Sequence, residues 1–322
     1  MNRREVLAAG ALGFGAAGRP GVSPAGNARY AARDEQVPAI WRRRIGNRVM
    51  TAVSDGYVPF EAWHSPNIDP ADRAAMLAER FLPTDVYQGS INSFVVDDGD
   101  GAVVLIDAGA GPLLGPTSGR LAPNLAAAGY GPEDVTAILA THLHPDHVGG
   151  AYDEAGRAVF PNAELVVSEA EHAFWTDDGM RASAPEGARF LWDVARAALS
   201  AYAGRVRRFE SGAEPAPGMT SIPLPGHTPG QSGILIASGD DALLVWADVV
   251  HFPPLQLRRP EVVFAFDVDP DLAAETRRRT FDMAAGERLE IAGMHMPFPG
   301  AGHIARDGDG YAFAPSRWGY DL

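Results

Sequence analysis

The sequence predicts a layered α/β domain assembled from two strand-rich halves. Three observations carry this expectation. Short apolar runs of strand length recur along the chain, each bounded by Gly, Pro, Asp or Asn. Amphipathic helical patterns lie between them, and a helical region at 169–203 separates an earlier set of runs from a later one. Strands and helices alternate without a strict βαβ rhythm, so helices packed on sheets fit better than an all-β or all-α domain.

The elements follow in order. Residues 1–28 open with Arg3 and Arg4, then an apolar segment from Val6 to Gly18 that is too short to span a bilayer. The segment is similar to a twin-arginine export signal, which implies a periplasmic or secreted protein without a stable membrane anchor. The Gly-, Pro-, Ala- and Arg-rich stretch that follows lacks periodicity, and 29–48 reads as a linker or N-terminal arm before a folded domain at 49–322. The first strand runs are Val49–Val53, Ile91–Val96, Val103–Asp107, Ala137–Thr141 and Leu165–Ser168. The second set is Val206–Phe209, Thr220–Leu224, Gly233–Ala237 and Leu243–Ala247. Helical periodicity is clearest at Arg120–Ala128, Glu169–Trp175, Arg189–Ala203 and Asp271–Ala285.

Composition removes several chemistries. The 322 residues include no cysteine and no lysine. Disulfides, thiolate-bound zinc, iron–sulfur clusters, a thiol nucleophile, Schiff-base chemistry and a phosphate-loop lysine are all excluded. Any metal must be held by His and carboxylates. A formal net charge of −14 argues against nucleic acid as a partner and leaves a small-molecule substrate. The basic clusters Arg42–Arg44 and Arg277–Arg279 read as solvated faces.

The stretch THLHPDHVGG (Thr141–Gly150) concentrates three of the nine histidines. If the preceding strand continues, His142 and His144 stand at i and i+2 and project to one side. Pro145 then starts a turn that re-aims Asp146 and His147 toward a neighbouring point, and Gly149 and Gly150 permit close backbone packing. Three further donors follow strand-like runs: His227 in PLPGHTPGQSG, Asp248 in WADVV and His295 in IAGMHMPFPG. Ligands at successive strand ends converge on one sheet edge, as a metal site requires.

HLHPDH, GHTPG, the Asp of WADVV and the late His of GMHMPFPG, in this order, resemble the metallo-β-lactamase superfamily over roughly residues 49–305. The resemblance implies an αβ/βα sandwich of two related halves, with two divalent metal ions, zinc being expected, at one edge between the sheets. His142, His144 and His227 would hold the first ion, Asp146, His147 and His295 the second, and Asp248 would bridge them. Asp107, in VLIDAGAG, would orient a ligand imidazole, with His251 and His303 as further supporting candidates. A hydroxide between the ions would be the nucleophile, while Asp146 and Asp248 would handle protons for the leaving group.

Within the superfamily the chain is most similar to methyl parathion hydrolases and related lactonases, in LLGPTSGRLAPNLAAAGYGPEDV and MPFPGAGHI. That implies a hydrolase of lactones, aryl esters or organophosphate triesters, and a homodimer. True β-lactamases place Cys or Ser where this chain has Asp248. A mononuclear iron persulfide dioxygenase, sharing His142, His144, His227 and Asp248, and a hydroxyacylglutathione (thioester) hydrolase are the alternatives. Trp175, in AEHAFW, reads as a pocket wall by the same resemblance. Phe174, Phe190, Trp192 and Leu114 suit either a pocket entrance or ordinary packing, and His64 reads as a surface residue.

Overall fold

Most of the strands are apolar on both faces, and a sheet with two apolar faces must be covered twice. On β3 (Tyr87–Asp97), Phe94 and Val96 face one core while Val95 faces another. The alternation repeats on β4 (Val103–Ile106), with Val104 and Ile106 opposed to Leu105. The computed structural model describes residues 36–322, and the export-signal reading of residues 1–28 lies outside them. Pro38–Leu322 form one compact unit.

The first sheet comprises β1 (Ile40–Ile45), β2 (Arg48–Phe60), β3, β4, β5 (Ala137–Leu139), β6 (Glu164–Ser168) and β7 (Val206–Phe209), paired in that order. β1 to β4 are mutually antiparallel, and β4 to β7 run parallel. The second sheet comprises β8 (Met219–Pro223), β9 (Ser232–Ser238), β10 (Asp241–Val245), β11 (Glu290–Ala292), β12 (Ala301–Asp307) and β13 (Gly310–Pro315), again in chain order, with β10 and β11 parallel. Between the sheets, Phe94, Ile106 and Leu139 share a core with Ile234, Val245 and Ala292.

The helices are α1 (Pro70–Ala78), α2 (Leu121–Ala128), α3 (Pro145–Val148), α4 (Glu169–Thr176), α5 (Asp178–Ser183), α6 (Phe190–Ala201), α7 (Pro253–Gln256) and α8 (Pro270–Glu287). Residues of α2, α4 and α6 pack on the outer face of the first sheet, among them Leu121, Phe174 and Trp192. Phe281 and Ala284 of α8 cover the outer face of the second against Leu244 and Trp246. The result is the αβ/βα sandwich expected. Full burial of each such side chain contributes roughly 1.5–3 kcal/mol, and the three layers of core hold the strand ends in place.

Three expectations need correction. Residues 40–45 are strand β1 rather than part of a linker, because Ile40 to Ile45 pair with Val53 to Arg48 across a hairpin and bury Trp41 and Ile45. β7 joins the first sheet through parallel pairing with β6, although its place in the chain suggested the second half. Arg277 is buried, donating to the carbonyls of Val249, Pro260 and Val262, so that basic cluster is not wholly a solvated face. No helix of the described residues is long and apolar enough to cross a membrane.

Candidate metal centre

Parallel pairing brings the C-terminal ends of β4 and β5 to one edge, and of β10 and β11 to the facing edge. The donors leave from those ends. β5 stops at Leu139, so His142 and His144 do not continue the strand. Asp107 captures the chain instead: its Oδ1 accepts the Thr141 N–H and its Oδ2 the Thr141 hydroxyl, both at 2.8 Å. The chain then enters α3 with Pro145 at its first turn. Gly150 is required here, since a Cβ would lie 2.1 Å from the Ala108 carbonyl oxygen. Asp107, just after β4, and Ala247, directly before Asp248, hold left-handed φ values of 57° and 54°. Such strain costs roughly 1–3 kcal/mol for a non-glycine residue and is typical of functional sites.

Two sets of donors result. His142, His144 and His227 converge, with His142 Nε2 3.2 Å from His144 Nδ1 and that atom 2.8 Å from His227 Nε2. Asp146, His147 and His295 form the second, with His295 Nε2 3.3 Å from Asp146 Oδ2 and His147 Nε2 3.8 Å from Asp146 Oδ1. Asp248 Oδ2 stands between them, 3.7 Å from His142, 3.5 Å from His227, 3.2 Å from His147 and 3.1 Å from His295.

The decisive feature is which ring nitrogen each histidine turns inward. His147 Nδ1 bonds Asp107 at 2.7 Å, His227 Nδ1 bonds Asp267 at 2.9 Å, and His295 Nδ1 bonds the Ser90 carbonyl at 2.7 Å. His142 Nδ1 donates to the Thr141 hydroxyl oxygen at 3.1 Å, since that hydroxyl gives its own hydrogen to Asp107. Each outward partner holds the proton on Nδ1, leaving four Nε2 lone pairs aimed at the centre. His147 Nε2 and Asp248 Oδ1 are buried without hydrogen-bond partners. Buried lone pairs converging on carboxylates call for cations, and the donor set, all nitrogen and oxygen, fits two divalent metal ions.

The electrostatics agree. Burial, with neighbouring imidazoles, lowers His142 and His144 well below the ordinary histidine range, and burial brings His227 to about 3 despite Asp248. These rings are neutral, as metal ligation requires. Burial also disfavours charge on His147, but Asp248, Asp107 and Asp146 outweigh it and hold that ring well above the ordinary value. A cation bound there would take the place of the proton that those carboxylates favour on the His147 ring.

Two supports escaped the sequence reading. Asp267 orients His227 and also accepts the Phe264 N–H. Glu171, buried in α4, accepts from Leu143 N, Gly230 N, Thr228 Oγ1 and Trp175 Nε1, tying together the loops that carry His142, His144 and His227. Its place four residues before Trp175, on the same helix face, was the available signal. His251 lies against Asp248 Oδ2 at 3.0 Å, with its ring stacked on Phe264. His303 does not approach the site: it is exposed on β12, opposite Ala314.

A cavity of about 250 Å³ opens over the donors. Phe190, Leu114, Leu191 and Asp146 line it, with Phe60, Trp63, Phe264 and Phe266 completing an aromatic wall. Phe174, Trp175 and Trp192 do not line it: they pack on one another in the core between α4 and α6. Trp175 still touches the site from behind, its ring edge-on to His144 at 5.4 Å. His64 is buried in the cavity wall rather than on the surface.

The family profile described as the metallo-beta-lactamase superfamily matches residues 86–295, which includes every donor above. The chain belongs to this superfamily. Among its solved members, the hydrolase AbOPH is 32% identical, covers 88% of this chain and 100% of its own, and superposes with a TM-score of 0.83. AidC, a dizinc quorum-quenching lactonase solved with its product N-hexanoyl-L-homoserine, is 25% identical at the same TM-score of 0.83, covering 88% and 99%. An N-acyl homoserine lactonase of Bacillus cereus is 25% identical over 169 residues, 52% of this chain and 59% of that protein. The chain thus spans little more than half the length of that curated relative. The fold, the family and the donor set agree with one another.

Proposed function

We propose that the protein is a dinuclear zinc hydrolase of neutral lactones, with aryl esters and organophosphate triesters as further substrates of the same cavity. The observation that carries this reading is the cavity itself: two facing donor sets under a wall of Phe, Trp, Leu and Val, with no arginine among the lining residues. An uncharged acyl or aryl group gains from burial there, whereas an anionic group held against the wall, away from the donors, meets no cationic side chain. β-Lactams and glutathione conjugates carry carboxylates that the wall leaves without a cationic side chain to pair with. When bound, a pair of zinc ions lowers the pKa of water toward about 7 and polarises a carbonyl or phosphoryl oxygen.

The chain's own groups do the rest. His142, His144 and His227 would hold one ion, and Asp146, His147 and His295 the other, with Asp248 between the two groups. The aromatic wall excludes water from the acyl side. Asp146, with 16% of its side chain exposed, is the carboxylate that meets the cavity. It is placed to take a proton as water adds to the lactone carbonyl carbon. It returns that proton to the alkoxide as the ring C–O bond breaks. A persulfide dioxygenase or thioester hydrolase would act on glutathione conjugates, which the uncharged lining disfavours.

The test compares kcat/KM of the zinc-loaded protein for a lactone, an aryl ester, methyl parathion, a β-lactam and a glutathione thioester, with oxygen consumption recorded. The lactone should rank first. A β-lactam or thioester ahead of it, or oxygen uptake with a glutathione persulfide, overturns the reading.

A further inference from the structure

The cavity carries one histidine that the metal donors do not include. His64 closes the short turn Ala62–His64 after β2 and is only 7% exposed. Its Nδ1 accepts the Glu61 backbone N–H at 2.9 Å. A backbone N–H can only donate, so Nδ1 holds the lone pair and the ring proton sits on Nε2. Burial lowers the His64 pKa, against smaller opposing effects of Glu61, so the ring is a neutral donor.

Its plane is also fixed. Trp63 stacks on the ring with centroids 3.6 Å apart and 26° between planes, and Phe264 lies nearly parallel to it at 5.8 Å and 16°. Neighbouring lining residues Val58, Phe60 and Phe266 present only hydrocarbon. Apart from the metal donors, Trp63 and His64 are the lining residues whose side chains hold a polar N–H, and Trp63 is 55% exposed. Nothing among the described residues takes the His64 Nε2–H, and an oriented donor in an apolar wall discriminates strongly between ligands that satisfy it and ligands that do not. A single ring, Phe60, separates His64 from His295, at 5.3 Å and 5.5 Å between centroids. His64 and the donors line the same cavity of about 250 Å³, so a group a few bonds from the reacting carbonyl lies within its span.

We propose that His64 is a specificity-determining residue whose Nε2–H donates to a second acceptor oxygen of the substrate, a few bonds from the carbonyl that is attacked. The inference rests on the lactone reading above and narrows it: preferred substrates bear a second acceptor oxygen beside the lactone ring, for which the amide carbonyl of an N-acyl homoserine lactone is the probe.

The test uses the zinc-loaded full chain and two substrates, an N-acyl homoserine lactone and a plain γ-lactone with an alkyl chain of matching length. His64→Phe keeps an aromatic ring against Trp63 and Phe264 but has no N–H, while His64→Gln offers an amide N–H near the position of Nε2. H64F should lose about tenfold in kcat/KM on the acylamino lactone, mostly through KM, with the plain lactone unchanged. H64Q should recover part of the loss. Zinc content and Tm are recorded for each, and if H64F loses metal, H64Q against wild type supplies the comparison. Equal losses on both substrates, or none on either, overturn the assignment. A wild-type enzyme that hydrolyses only the plain lactone overturns it while leaving the lactone reading intact. A wild-type enzyme inert toward both sinks the lactone reading, and this inference with it.

Discussion

Asp107→Asn isolates the way one carboxylate sets the metal centre. Asp107 Oδ2 lies 2.7 Å from His147 Nδ1 and 2.8 Å from Thr141 Oγ1, while Oδ1 accepts the Thr141 N–H. Asparagine keeps one oxygen and turns the other position into a donor. It also tolerates the left-handed φ of 57° at this position, so the backbone stays in place. If the amide oxygen remains on Thr141 N–H, the amide NH2 faces His147 Nδ1. That nitrogen must then accept, the ring proton moves to Nε2, and the lone pair that would hold the ion is closed. If the amide flips, two N–H donors face each other in a buried site, at a cost of roughly 1–3 kcal/mol. Either outcome should weaken the Asp146–His147–His295 site by 10–100-fold, about 1.4–2.7 kcal/mol. The assay equilibrates wild type and D107N against a graded zinc chelator and counts ions per chain by mass spectrometry. D107N should fall to one ion at chelator concentrations where wild type retains two. Superimposable titrations would refute the tautomer argument.

Other perturbations have equally definite expectations. Complete chelation should abolish hydrolysis and lower Tm, since binding at a thousandfold excess over Kd adds about 4.1 kcal/mol per ion; a metal-free protein with unchanged turnover would contradict the assigned chemistry. Glu171→Gln should cost about 2–4 kcal/mol of stability in urea unfolding, because the new amide NH2 opposes the Gly230 N–H or the Leu143 N–H, and zinc affinity should fall with it. Trp192→Ala, in the core, should lose roughly 3–5 kcal/mol, whereas Phe190→Ala, at a residue 45% exposed on the cavity rim, should raise KM with stability within about 0.5 kcal/mol. Equal effects of those last two would mean the wall and the core have been assigned wrongly.

Much of this was legible in the chain because it is locally encoded. Strands such as Val103–Ile106 and Leu243–Val245 are apolar on both faces, and turn residues mark their ends, so nine strand runs and four helices stand in the sequence where the structure has them, although β2 runs on to Phe60, well past the expected Val53. The donors are legible for the same reason: His142 to His147 span a single turn, and His227, Asp248 and His295 each follow a strand. β1 and β12 were not, because Arg42–Arg44, His303 and Arg306 interrupt the apolar pattern on strands near the sheet edges, where one face meets solvent, and β13 is the edge strand beyond β12.

Long-range packing decided the remainder. Whether Trp175 lined a pocket or backed His144 depended on Glu171 drawing its indole N–H inward, and whether Phe190 or Phe174 faced the cavity depended on how α4 and α6 pack together. Asp267 reaches His227 from 40 residues away, and His64 enters the wall only because Phe264 comes back across the chain to stack on it. A residue type and its turn chemistry are properties of a few neighbours, so the metal donors could be read from the chain. The direction a side chain faces, and the proton its ring carries, are set by groups brought together only when the two sheets close on each other.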